Sequence, residues 1–284
     1  MDFTGDNGPT VELKRFRFNA HDVCNSSCSL VIGRHNIRTV KLLIDRYSKF
    51  PNIYPFVFGN TELDDLRFPF IPKKCIYDQY YEEVLKDLLA NQIRHVRNNG
   101  RHSRHMLLIF HDSLTSDIID FSNTFKGLMC NTRGYDVKII IYTMYPFNIG
   151  PQNRVNLDLV FLEDIYDEHA MTRIYHDYFG IYNTKEEFTK VCKNIIGLQK
   201  NIADKSAKEA RYILKKIVGK DVLELIMEYV DAEYCGIMIN NRIPDREPQN
   251  IMRWYKKTKI TPKRVGPVAL WEYTQGEGED IDNE

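Results

Sequence analysis

The chain has 284 residues, enough to bury a full core as one large domain or one domain plus an insert, and its 39 Lys+Arg balance 39 Asp+Glu, so bulk charge nominates neither nucleic acid nor membrane. Six cysteines in a chain this long exclude a disulfide scaffold: only Cys24 and Cys28 stand close together, and no second pair completes a zinc site. No apolar run reaches the length of a membrane span and no charged-then-apolar leader opens the sequence, which predicts a soluble intracellular protein with reduced cysteines.

Short, nearly continuous apolar runs alternate with helical periodicity, the pattern of an α/β protein whose strands are covered on both faces. Strands are predicted over 28–33, 54–58, 106–111, 137–143 and 157–162, with helices over 36–47, 79–96 and part of 118–130. The second helix carries Val84, Leu85, Leu88, Leu89, Ile93 and Val96 along one stripe. After Asp164 the pattern turns helical, over 168–179, 185–196 and 206–230, the last broken at Gly219. A final strand over 235–240 returns to the sheet.

The stretch from Leu30 to Leu43 has the frame of a phosphate-binding loop: an apolar strand, a short loop starting at glycine, then an amphipathic helix. A working loop reads G-x-x-x-x-G-K-[ST], with backbone amides and a lysine around the phosphates and a hydroxyl on magnesium. Starting the motif at Gly33 places Arg38 at the second glycine, Thr39 at the lysine and Val40 at the hydroxyl. Sliding it back by one residue puts Ile32 and Ile37 at the two glycines and Arg38-Thr39 in place of Lys-Thr. Neither register gives a standard site, so Gly33, Arg38 and Thr39 define a degenerate nucleotide-binding loop.

The strand over 106–111 ends in His111-Asp112. ATPases of the phosphate-binding-loop type end the equivalent strand in a carboxylate that holds magnesium, followed by a group that orients the attacking water. Here the first position is histidine, a poor ligand for a hard cation, and only Asp112 is acidic. Arg154, just before a strand, is a candidate finger toward the phosphates of a neighbouring subunit. Arg94, His95, Arg97, Arg101, His102, Arg104 and His105 form a basic run without interleaved aromatics, read as a solvated connection. His102 and His105 have no third ligand nearby in sequence, so no metal site is assigned to them. Near the C-terminus, Arg253, Lys256, Lys257 and Lys259 make a basic patch, a weak candidate for DNA contact, followed by an acidic tail.

Taken in order, these segments resemble the vaccinia-type genome-packaging ATPases of large nucleocytoplasmic DNA viruses, within the FtsK/HerA group of P-loop motors. The resemblance runs over about 12–257. Phe58-Gly59-Asn60-Thr61-Glu62 looks like the family's glycine-threonine-glutamate after its second strand, and Phe70-Ile71-Pro72 and Ile76-Tyr77-Asp78-Gln79-Tyr80 are similar to its next segment. A helix with Asn91-Gln92 and the strand end His111-Asp112-Ser113-Leu114 follow. Asn131-Thr132-Arg133-Gly134-Tyr135 resembles the family's Asn-Gly-Arg-His-Tyr, and Asn153 to Phe161 its Leu-Arg-x-Asn-x-Asp-x-Val-Phe. Ile237 to Asn241 and Met252-Arg253-Trp254-Tyr255-Lys256 resemble its closing strand and Trp-Tyr-Lys. The loop lysine and hydroxyl, the first Walker B carboxylate, and the glutamine that the family carries between methionine and tyrosine in Thr143-Met144-Tyr145-Pro146 are absent.

The resemblance implies a RecA/FtsK-type P-loop NTPase fold, a mainly parallel sheet flanked by helices with a C-terminal helical insert. Residues 1–200 are expected to form the core, 201–230 the insert, 231–260 the return strand and 261–284 a disordered tail. The losses fall on catalytic positions, so the expected function is that of a pseudo-ATPase in viral genome packaging or virion assembly. An active motor subunit remains open, with Arg38 for the lysine, Thr39 supplying the hydroxyl and Asp112 alone serving metal and water; that reading requires ATP and magnesium. A virion structural or adaptor protein with the insert as its working surface is the third reading. The implied partners are an active packaging ATPase in a homo- or hetero-oligomer, a capsid or portal protein, and DNA, in the virion or the viral factory of the host cytoplasm.

Overall fold

The computed structural model describes residues 14–15, 27–33, 37–50, 52–59, 67–115, 118, 122–144, 149–163, 168–180, 184–197, 235–241, 252–256 and 265–267. The expected insert (201–230), Lys257, Lys259 and most of the expected tail lie outside them.

Among the described residues nine strands form one sheet. They are β1 (Lys14–Arg15), β2 (Cys28–Ile32), β3 (Ile53–Phe58), β4 (Ile76–Tyr77), β5 (His105–His111), β6 (Val137–Thr143), β7 (Leu159–Leu162), β8 (Cys235–Asn240) and β9 (Met252–Lys256). Their order is β1-β9-β8-β7-β2-β6-β5-β3-β4. All pairs from β7 across to β4 are parallel; β8 runs antiparallel to both β7 and β9, and β1 lies parallel to β9.

Strands with a period of two split their side chains between two buried layers. Leu30 and Ile32, Leu108 and Phe110, Ile139 and Ile141, and Val160 and Leu162 face one layer. Val31, Leu107, Ile109, Ile140, Tyr142, Leu159 and Phe161 face the other. Helix α1 (Arg38–Tyr47) covers the second layer with Val40, Leu43, Ile44 and Tyr47. Helices α2 (Glu82–Asn99), α3 (Asn123–Asn131), α5 (Glu168–Tyr178) and α6 (Lys185–Gly197) cover the first; the short α4 (Pro151–Arg154) leads toward β7. The fold is therefore the expected one, a mainly parallel sheet flanked by helices, consistent with a RecA/FtsK-type P-loop NTPase fold with a helical region toward the C-terminus.

The differences from the sequence reading are local. Helix α2 begins later than expected because Tyr81 is extended, with the Tyr80 hydroxyl tied to Glu82 and Ser122. It also runs further, to Gly100, whose φ of +80° ends the helix as glycine readily does. Arg94, His95 and Arg97 are thus helical, and only 100–104 forms a connection before His105 opens β5. Strands β1, β4 and β9 escaped the periodicity reading. Two of them are two residues long, and Met-Arg-Trp-Tyr-Lys in β9 shows no clean alternation; it is defined by pairing with β8. Within the expected tail, Val265 is buried and its amide donates to the Phe70 carbonyl at 2.8 Å.

Gln92, inside the apolar stripe of α2, is fully buried. Its Nε2 donates to the carbonyls of Arg104 and Tyr135, both at 3.0 Å, and its Oε1 accepts from Arg104 Nε at 2.8 Å. The amide satisfies the backbone of the turns entering β5 and β6, which explains a polar group in that layer.

Candidate functional site at the carboxyl ends of the strands

In open parallel sheets, ligands bind in the crevice outside the carboxyl ends of the strands. Here β7, β2, β6 and β5 deliver Glu163, Gly33, Thr143 and Asp112 to that edge. The Glu163 amide donates to the Ile32 carbonyl at 2.8 Å, and the Gly33 amide to the Thr143 carbonyl at 3.2 Å. These bonds extend the ladders past the strand ends and fix the side chains relative to one another.

Gly33, the glycine of the degenerate loop, lies against Glu163. A Cβ on Gly33 would fall 2.6 Å from the Glu163 Cβ. Thr39, in the first turn of α1, donates its hydroxyl to the Glu163 Oε1. Both residues have zero exposed surface. Sequence reasoning missed Glu163; the available signal was an acidic residue immediately after the apolar run 157–162, on a strand parallel to the loop strand. Helix α1 starts at Arg38, with Ile37 at its N-cap giving no side-chain cap and no acidic residue in its first turn. Arg38 and Lys41 on it are 7% and 6% exposed, so neither stands out into the crevice as a free cation.

At the end of β5, His111 is 1% exposed and packs among rings. It stacks on Tyr142 at 4.9 Å with planes 12° apart, meets the edge of Phe68 at 5.6 Å, and faces Arg67 Nη1 across 3.5 Å from its Nε2. The aromatic seat explains the histidine as a packed group. Asp112 has φ +50°, in the left-handed region that aspartate tolerates better than most residues. Its amide donates to the Tyr142 carbonyl at 2.9 Å, and its Oδ1 accepts the Met144 amide at 2.9 Å. Burial pushes its carboxyl above the ordinary carboxylate range, opposed by the Met144 amide, His111, Thr143 and Arg67.

Arg154 does not belong to this cluster. Its Nη1 pairs with Asp177 Oδ2 on α5 at 2.7 Å, where Arg173 also pairs at 2.8 Å, and its guanidinium lies 5.6 Å from the Tyr178 ring centroid. Arg133 pairs with Asp158, whose Oδ2 accepts the amides of Ser27 at 2.6 Å and Cys28 at 3.1 Å. That contact joins two of the resemblance segments at the amino end of β2, away from Gly33. Arg253 and Lys256 lie on β9. Among the described residues Cys28, Cys75 and Cys192 are buried free thiols and Cys130 is exposed; burial raises the first three, Cys75 to about 11. No described helix is long and apolar enough to cross a membrane.

The mainly parallel sheet flanked by helices is consistent with a P-loop NTPase-like fold. No protein-family model matches the sequence, and no curated protein matches it. Among solved structures, the chain is similar to B204, the DNA-packaging ATPase of Sulfolobus turreted icosahedral virus, at 10% identity, with 83% of this chain and 98% of that chain covered and a TM-score of 0.46. The genome-packaging NTPase B204 of Sulfolobus turreted icosahedral virus 2 with AMPPCP gives 11% identity, the same coverage of 83% and 98%, and a TM-score of 0.44. The cytoplasmic domain of the Thermomonospora curvata type VII secretion ATPase EccC gives 9% identity over 50% of this chain and 21% of that one, at a TM-score of 0.37.

Proposed function

We propose that this chain is a packaging-ATPase fold kept as a catalytically impaired viral protein, acting in genome packaging or virion assembly. The collinear sequence resemblance supports the family, and one contact carries the impairment: the Thr39 hydroxyl donates to buried Glu163, which also packs on Gly33. In the register that puts Arg38-Thr39 in place of Lys-Thr, that hydroxyl would belong to magnesium; in the register that starts at Gly33, the space beside the glycine would belong to phosphate. Glu163 takes one of these places in either register. A carboxylate at that point also opposes an incoming polyphosphate. The residues around Gly33 therefore do not fit ATP and magnesium, and no catalytic step is assigned to Asp112 or Arg154. Loss of one charge-stabilising group typically costs about 3–4 kcal/mol of transition-state stabilisation, and the loop lysine and the first strand-end carboxylate are missing as well.

In this reading the chain works by docking, on an active packaging ATPase in a mixed assembly, on a capsid or portal protein, or on DNA. Calorimetry of the full chain with ATP and magnesium tests it, with Thr39→Val as the control. The expected result is no saturable heat at millimolar nucleotide. Saturable binding that Thr39→Val abolishes, together with turnover lost in Asp112→Asn, would establish the active motor instead.

A further inference from the structure

At the opposite, amino-terminal edge of the sheet, the fold joins what the sequence keeps apart. We propose that His102, His105 and Asp136 form a binding site for a divalent transition metal, with zinc as the ion of choice. Each offers one ligand atom, and these atoms lie within 4.8 Å of one another. His102 sits in the connection before β5, His105 is the first residue of β5, and Asp136 immediately precedes β6. The pairing of β5 with β6 brings them together, with the Met106 amide donating to the Asp136 carbonyl at 3.1 Å.

Two features mark a site rather than an accidental cluster. His105 is 5% exposed and its Nδ1 is buried without a hydrogen-bond partner, a state that costs about 1–3 kcal/mol unless the nitrogen is satisfied. The three residues also line one cavity of about 240 Å³. Two imidazoles and a carboxylate suit zinc or ferrous iron and disfavour magnesium and calcium, which require oxygen ligands. Tetrahedral bonds of about 2.0–2.1 Å place ligand atoms about 3.3 Å apart. His102 Nδ1 and Asp136 Oδ1 are already 3.6 Å apart, and the largely exposed His102 side chain has room to close the remainder. Asp136 Oδ2 meanwhile accepts the His102 amide at 2.6 Å, which holds the connection in place. Three protein ligands leave a fourth position for water. Arg101 Nη2, 3.8 Å from Asp136 Oδ1, competes for the same carboxylate.

The site is independent of the nucleotide question and is tested without any activity. Full-length protein is stripped with chelator, titrated with zinc by calorimetry, and loaded with cobalt to read the tetrahedral absorption bands. His102→Asn and Asp136→Asn suit the φ of +66° and +52° at these positions, because asparagine tolerates that region. We expect one equivalent of zinc in the parent and binding at least about 100-fold weaker in either variant. Arg101→Ala, which removes the competing cation, is expected to bind more tightly than the parent. Failure to bind zinc with a Kd below about 0.1 mM, or binding unchanged in both asparagine variants, would overturn the assignment.

Discussion

Gly33→Ala probes the contact on which the functional reading depends. The added Cβ meets the Glu163 Cβ at 2.6 Å, whereas carbon atoms pack comfortably at about 3.5–4.0 Å. The two must separate by roughly 1 Å. Neither can swing aside, because both are fixed to backbone and the Glu163 amide is bonded to the Ile32 carbonyl at 2.8 Å. Overpacking of this kind costs about 1–3 kcal/mol. The alanine also restricts the unfolded chain, which returns about 0.4–1 kcal/mol, since Gly33 is not among the glycines with positive φ. The expected net effect is a loss of about 0–2.6 kcal/mol, read from urea unfolding. In a Glu163→Gly background the obstructing Cβ is gone, and the same substitution should be neutral or slightly stabilising, giving a coupling of about 1–3 kcal/mol. A Gly33→Ala protein as stable as its parent in both backgrounds would refute the close packing of Glu163 on the loop glycine, and with it the occupied crevice.

Three further outcomes follow from the same structure. Burial raises the Asp112 carboxyl from its ordinary value of 3.8, so the folded state holds the proton more tightly and loses stability as pH rises through the window above 3.8. Asp112→Asn, which keeps an acceptor for the Met144 amide, should be more resistant to urea than the parent at pH 7, with the difference closing below about pH 4; a less resistant variant at pH 7 would contradict this. Arg154→Ala and Asp177→Ala should each destabilise the isolated chain, by roughly 1–3 kcal/mol for a partly buried pair, and their effects should be less than additive. If instead Arg154→Ala leaves stability untouched and acts only in an assembled ring, the finger role gains support. Should the basic patch meet DNA, neutralising Lys256, Lys257 and Lys259 together would flatten the slope of log affinity against log salt by about 3, and an unchanged slope would remove these lysines from any DNA contact.

The proposed loss of the nucleotide site also changes where function is sought. A nucleotide-driven motor works through the carboxyl edge of its sheet, but here Thr39, Gly33 and Glu163 close on one another and His111 is held by Tyr142 and Phe68. The amino edge, by contrast, carries a cavity with a histidine pair and a carboxylate.

Order along the chain was enough to predict six of the nine described strands, because buried parallel strands need continuous apolar runs and helices need their own period, both visible within a few residues. Strands at 137–143 and 235–240 coincide with β6 and β8, and the degenerate loop at Gly33, Arg38 and Thr39 was legible as a frame without its chemistry. The sequence also placed Asp112 at a strand end. What it left undetermined was every contact between residues far apart in the chain. Glu163 reaches Thr39 across 124 positions, and Asp136 reaches His102 across 34, because parallel strands bring distant segments to a common edge. No local period records which strand lies beside which, so the contact of Thr39 and Gly33 with Glu163 at one edge and the histidine-aspartate cluster at the other were decided by strand order alone.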